Sequence, residues 1–206
     1  RLIAVPPAAG GPRRAARTAR PTGRALEPAT VTWHDPPVTR QTVSLFRRIE
    51  RALETIAHGS TPLDTIREAA HFLSDGFSAD LGLRGGRIYA QDDGAYELVT
   101  TFGEVTRAPV GLRIDRHYPP FEHLLDIGVT VMRRDDQRLD QRLESELGTR
   151  DWFAAISVAD GRFALSFDVE PETAERDGLV AALNIVRLAI NQKLRERRMT
   201  EIIEEA

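Results

Sequence analysis

The Asp160-Gly161 pair constrains this chain more than any other feature. Both residues accept positive φ, as the central positions of a type I′ turn require, and that turn matches the twist of two paired strands. A turn there pairs Val158 with Phe163, Ile156 with Leu165, Ala154 with Phe167 and Trp152 with Val169. Side chains alternate along a strand, so these eight share one face. The other face carries Phe153, Ala155, Ser157, Ala164, Ser166 and Asp168. One face is bulky and apolar, the other small and mixed. A slip of one residue would exchange the faces, so turn chemistry and hydrophobic pattern specify the same register.

A long helix is expected next. Pro171, Glu172 and Glu175 suit its N-terminus. Leu179, Leu183, Val186, Ile190 and Leu194 recur at steps of three and four, an apolar stripe. Beyond Ile190 the stripe is surrounded by Lys193, Arg195, Glu196, Arg197 and Arg198. The first half is expected to cover its own domain. Residues 193–206 are expected to continue the helix outward and to seek a partner. A homodimer seam is therefore expected along Val186, Ile190, Leu194 and Met199, chiefly from Leu194 onward.

The 206 residues allow one domain with a core, plus appendages. A net charge of −3 gives no case for a nucleic-acid partner. Cysteine is absent, which excludes disulfides, thiolate metal sites and thiol catalysis, and fits a cytoplasmic location. No apolar run approaches the roughly 20 residues of a membrane span, and no signal peptide is visible. Residues 1–40 are rich in Ala, Pro and Gly and set seven arginines against Glu27 and Asp35. Such a segment buries too little apolar surface to offset ordering entropy, so a disordered basic tail or linker is expected. Trp33 and His34 could dock on the domain. The chain opens on Arg1 and stops mid-pattern, as a piece of a longer protein would, with an effector domain expected downstream.

Between these ends, Val43, Phe46, Ile49, Leu53 and Ile56 form a helical stripe over residues 41–58, stopped by Gly59. A second helix starts with Thr61 as N-cap, Pro62 and Asp64, and ends at Gly76. A strand from Gly85-Gly86 to Gln91 turns at Asp93-Gly94 and returns over residues 95–102. That pairing sets Ile88 against Val99 and Tyr89 against Leu98. Short strands are expected at 110–114 and 129–132, and short helices through Leu125 and from Asp140 to Leu147, the latter ending at Gly148. The fold class is α+β, a mainly antiparallel central sheet of about six strands flanked by helices, with long N- and C-terminal helices.

The candidate ligand residues are Arg113, Asp115, Tyr118, Phe121 and His123, beside Arg116 and His117. Arginine suits a carboxylate or phosphate, and aromatics suit an organic ligand. An alternative is a solvated loop whose Tyr118 and Phe121 pack on the sheet as lids, stiffened by Pro119-Pro120. Ser157 and Ser166 either line a cavity with Asp168 or let a helix approach. His117 and His123 lack helical metal spacing, so no metal site is expected. No nucleophile with base and orienting group is present, nor a phosphate-binding glycine loop, so no enzyme is expected. No cofactor is indicated.

The order of elements over roughly residues 41–200 resembles a GAF domain. Two helices enter, and a hairpin follows from Gly86 to Phe102. The variable middle contains Gly128-Val129-Thr130-Val131 leading to Asp135. The chain closes with strand, turn, strand and long helix from Trp152 to Arg198. Two full helices before the first strand favour this family over the PAS domains. The resemblance implies a regulatory module, with residues 41–192 as the domain proper. Some GAF domains bind small molecules between sheet and middle loops, and others only dimerise. Their terminal helices pass a signal to a kinase, cyclase, phosphatase or transcriptional ATPase. This sequence lacks the Asn-Lys-Phe-Asp-Glu pattern of cyclic-nucleotide members. Without cysteine it lacks the means for covalent bilin attachment and for methionine sulfoxide reduction.

Overall fold

The computed structural model describes residues 40–55, 61–105, 108–175 and 178–204. The expected tail, the docking of Trp33 and His34, and the helix stop at Gly59 lie outside those residues. The elements in order are α1 (Arg40–Glu54), α2 (Pro62–Gly76), α3 (Ser78–Leu81), β1 (Leu83–Asp92), β2 (Ala95–Gly103), β3 (Arg113–Asp115), α4 (Pro119–Ile127), β4 (Val129–Arg133), α5 (Gln141–Leu147), β5 (Trp152–Val158), β6 (Phe163–Val169), α6 (Pro171–Ala174) and α7 (Leu179–Glu204). Six strands form one antiparallel sheet in the order β3-β2-β1-β6-β5-β4. The expected α+β class and strand number hold.

The closing hairpin has the register that its turn dictates, with Trp152 against Val169 and Val158 against Phe163. Its apolar face lies under α1, α2 and α7. Ile156, Val158, Leu165 and Phe167 are fully buried there with Leu183 and Val186. The turn departs from a simple two-residue loop, because Ala159 is left-handed as well. Ala159, Asp160 and Gly161 have φ of 54°, 56° and 83°, three successive left-handed residues. Alanine rarely adopts this region, and its amide is held by Asn191 of α7, whose Oδ1 accepts at 2.7 Å.

Helix α2 begins as its sequence requires. The Asp64 amide donates to Thr61 Oγ1 at 3.2 Å, and the Thr61 amide donates to Asp64 Oδ2 at 3.0 Å. This reciprocal cap is worth about 1 kcal/mol. Helix α5 is capped by Asp140, which accepts from the Arg142 and Leu143 amides, and stops at left-handed Gly148.

Four sequence expectations are corrected. Ile88 pairs with Thr100 rather than Val99, because a bulge between Ile88 and Tyr89 shifts the register, while Tyr89 does face Leu98. The strand expected over 110–114 occupies only Arg113–Asp115. The terminal helix is not continuous from Pro171. A single turn, α6, precedes Gly178 at φ 102°, and α7 begins at Leu179. Val186 and Ile190, expected at a dimer seam, are 0% and 1% exposed within the single chain, so they have no surface to offer a partner. Leu194 also packs on this core, and Lys193 Nζ donates to the Glu54 carbonyl of α1. Met199 is exposed.

Glycine is needed where β1 meets β6. A Cβ on Gly86 would lie 1.8 Å from the Ser166 carbonyl oxygen, so only glycine permits this approach.

Candidate functional site

The small, mixed face of the sheet is covered by α4 and α5. Between them lies a cavity of about 20 Å³. That is room for about one water molecule. Its floor is Tyr89 from β1, Phe153 and Ala155 from β5, and Ser166 from β6. Its roof is Tyr118, Pro120 and Phe121 at the start of α4, with Glu144 and Leu147 from α5. Pro119 and Pro120 stand at the first helical positions, where the missing amide costs nothing.

The roof is latched by one phenol. Tyr118 Oη donates to Glu144 Oε1 at 2.5 Å and accepts from the Asp140 amide at 3.2 Å. This joins the start of α4 to the start of α5. Burial pushes the Tyr118 phenol above its ordinary pKa, and the Glu144 carboxylate raises it further. Phe121 packs edge-on against Tyr89, with centroids 5.1 Å apart, and tilted against Tyr96 at 4.6 Å. Tyr89 is pushed up to about 12 by burial.

Beside the floor, on the same face of the sheet, is a buried ion pair. Arg87 is 1% exposed and Asp168 2%. Arg87 Nη1 donates to Asp168 Oδ1 at 3.0 Å, and Nε donates to the Leu147 carbonyl at 2.9 Å. The guanidinium thus ties β1 to β6 and to the end of α5. Asp168 lies diagonally across the ladder, two residues beyond Ser166, the direct partner of Arg87.

The cavity gathers three of the expected residues, Tyr118, Phe121 and Ser166. The others lie elsewhere. Arg113 is on the outer strand, exposed and paired with Asp92 at 2.8 Å. Asp115 accepts from the His117 amide at 2.8 Å, within its own turn. His123 faces away from the cavity toward Arg138, 3.2 Å from Nη1. Arg138 also holds Asp136 down to about 2. Ser157 is buried but does not line the cavity. Among the described residues no group of three or more His, Asp or Glu could hold a metal ion.

Tyr89, Glu144 and Phe153 were missed from the sequence, as was Arg87. Arg87 and Asp168 had a readable signal. Each interrupts an apolar strand with a charge, and two such charges on neighbouring buried strands are expected to pair. Glu144 had a weaker one, lying one turn before Leu147 on the same face of a capped helix.

No family model matches the chain, and no curated protein matches it. Solved structures do. The chain is similar to the free methionine-R-sulfoxide reductase of Neisseria meningitidis in complex with its substrate, at TM-score 0.56 and 16% identity over 76% of this chain and 89% of that one. It is similar to the GAF domain of an Acinetobacter phosphoenolpyruvate-protein phosphotransferase, at TM-score 0.52 and 10% identity over 78% and 96%. The A. aeolicus nlh2 GAF domain in an inactive state matches at TM-score 0.51 and 10% identity over 75% and 96%. Helices α1, α2 and α7 back one face of the six-stranded sheet, α4 and α5 roof the other, and in this arrangement the chain has the GAF fold.

Proposed function

We propose that this is a regulatory GAF module that senses a small molecule beneath α4 and α5 and signals through α7. The signal passes to an effector domain that follows in a longer, cytoplasmic protein. One observation carries this reading. Cavity and helix lie on opposite faces of the sheet, yet both are bonded to the same turn. Tyr96, stacked on Phe121, donates through Oη to the Gly161 carbonyl at 2.9 Å. Two residues earlier, the Ala159 amide donates to Asn191 of α7. Movement of Phe121 on ligand entry would reach α7 through three left-handed residues. A ligand shifts such an equilibrium only by binding its two states unequally.

The similar proteins support a regulatory role by their settings, a phosphotransferase GAF domain and an inactive-state GAF domain. The sulfoxide reductase is an enzyme, but this chain has no cysteine for thiol chemistry. Among the described residues no helix is long and apolar enough to cross a membrane.

Dimerisation through α7 belongs to the same proposal. With Val186 and Ile190 buried, the seam moves to the outer side, where Leu188 is 57% and Met199 59% exposed. They stand about three turns apart on one side of the helix. The small cavity favours one competing reading, a ligand-free module used only for dimerisation or docking. A thermal-shift screen of nucleotides, haem and metabolites separates the two. Stabilisation by at least one compound supports sensing, and none leaves only the docking role. Leu188→Glu with Met199→Glu should turn a dimer into a monomer in light scattering with the circular dichroism unchanged. An unaltered chain that is monomeric at high concentration removes the seam.

A further inference from the structure

The cavity lining is chemically lopsided. Tyr89, Tyr118, Phe121 and Phe153 surround it with aromatic rings. Among the described residues that line it, Glu144 is the only carboxylic acid, with no Lys, Arg or His beside it in the lining, and it is 2% exposed. Arg87 does not offset it, because that guanidinium is engaged by Asp168 and the Leu147 carbonyl beside the cavity. Ser166 also borders the cavity. It is 7% exposed, and its Oγ, next to the Tyr89 phenol, makes no hydrogen bond of normal geometry among the described residues.

These features discriminate among ligands. An anion would face the Glu144 carboxylate in a poorly solvated site, where repulsion is strong. An apolar group would leave Glu144 without a donor once Tyr118 moved, and an unpaired buried acceptor is costly. An ammonium group meets each demand. It gives Glu144 a charge-assisted hydrogen bond, gives Ser166 Oγ a donor, and lies among ring faces that attract cations. The 20 Å³ is too small for any organic ligand, so entry requires a side chain to leave. Tyr118 is the one to move, because its phenol already occupies the donor position on Glu144.

We propose that the ligand carries a primary ammonium group that replaces the Tyr118 hydroxyl on Glu144, with Ser166 and the aromatic rings as its remaining contacts. This rests on the small-molecule reading above and adds the chemical class. It also gives the roof two states, one latched by Tyr118 and one latched by the ligand.

The test uses the whole chain, with ethylamine, ethanol and acetate as probes at matched ionic strength. Thermal shift and titration calorimetry give the affinities. A probe of this size reaches millimolar affinity at best. Ethylamine should stabilise the protein, ethanol should bind at least about tenfold more weakly, and acetate should not bind. Glu144→Gln retains an acceptor for the Tyr118 phenol, so the fold is kept, and ethylamine affinity should fall about tenfold. Tyr118→Phe should raise it severalfold by freeing Glu144. If Glu144→Gln fails to fold, Ser166→Ala replaces it, with a loss of about threefold expected. Ethanol or acetate matching ethylamine overturns the proposal, as does ethylamine binding that ignores both substitutions. A neutral or anionic metabolite that stabilises the chain when amines do not also overturns it, while leaving small-molecule sensing intact. If no compound stabilises the chain, both fall.

Discussion

The two faces of the sheet are held down by different physics. Toward α1, α2 and α7 the strands present Ala154, Ile156, Val158, Leu165, Phe167 and Val169, all buried and all apolar. Toward α4 and α5 they set the buried polar groups of Arg87, Tyr89, Ser166 and Asp168 among Leu98, Phe153, Ala155 and Ala164. Apolar packing is non-directional and proportional to area, so the helix face tolerates any well-filled arrangement. Buried polar groups must each find a partner, so the cavity face admits few arrangements and penalises a lost partner heavily. A face of that second kind suits a site that must distinguish two states.

The ion pair breaks the comparison most directly. Arg87→Met leaves Asp168 buried without its cation and should cost about 3–5 kcal/mol in urea unfolding. Replacing both residues, Arg87→Met with Asp168→Leu, should restore most of that loss, because two well-packed apolar groups have no charge to desolvate. A double variant as unstable as the single would show that shape rather than charge holds this face.

The contrast also explains what could be read from the sequence. The helix face was legible because its signals are periodic. The turn at Asp160-Gly161 and the alternation of Ile156, Leu165 and Phe167 agree, and the stripe through Leu179, Leu183, Val186 and Ile190 repeats at helical spacing. What periodicity does not report is where a stripe passes from its own domain to a partner, and Val186 and Ile190, expected to serve both, face the domain alone. The cavity face was read only in part. Tyr118, Phe121 and Ser166 were found because aromatics and small polar residues mark pockets. Arg113, Asp115 and His123 were drawn in by proximity in sequence, yet Arg113 and Asp115 stand exposed on the outer strand β3, and His123 lies half-buried against Arg138. Glu144 and Tyr89 come from distant segments, and only the folded roof brings them to Tyr118.

A gentler perturbation reads the same contrast through pH. The chain has three tyrosines, and Tyr89, Tyr96 and Tyr118 all lie on the cavity face with raised pKa values, burial being the largest cause in each. A tyrosine whose folded pKa is raised contributes stability that is fully present below its unfolded value near 10. That stability is lost as pH climbs toward the folded value, about 12 for Tyr89. Each such tyrosine steepens the decline by up to about 1.4 kcal/mol per pH unit in that window. Tyrosinate absorbance at 295 nm should therefore stay low at pH 10 in the folded chain and rise together with unfolding above it. Absorbance that rises near pH 10 while the circular dichroism is unchanged would mean that this face is open to water.

The smallest expected effect concerns the point where the faces meet. The turn at Ala159-Asp160-Gly161 holds α7 through Asn191 and the cavity aromatics through Tyr96. Asn191→Ala removes one hydrogen bond at a half-buried position and should cost about 1 kcal/mol. Global stability should fall by no more than that, while local opening should respond more strongly. The Ala159 amide should exchange its hydrogen faster in the variant, because its acceptor is gone while the strained backbone remains. The Leu165 and Phe167 amides, deep in the sheet, should exchange as before. If a stabilising ligand slows exchange along α7 in the unaltered chain and no longer does so in Asn191→Ala, the turn is the element that couples the two faces. Equal protection in both would send the coupling through the body of the sheet, and the left-handed turn would be a structural closure of the hairpin alone.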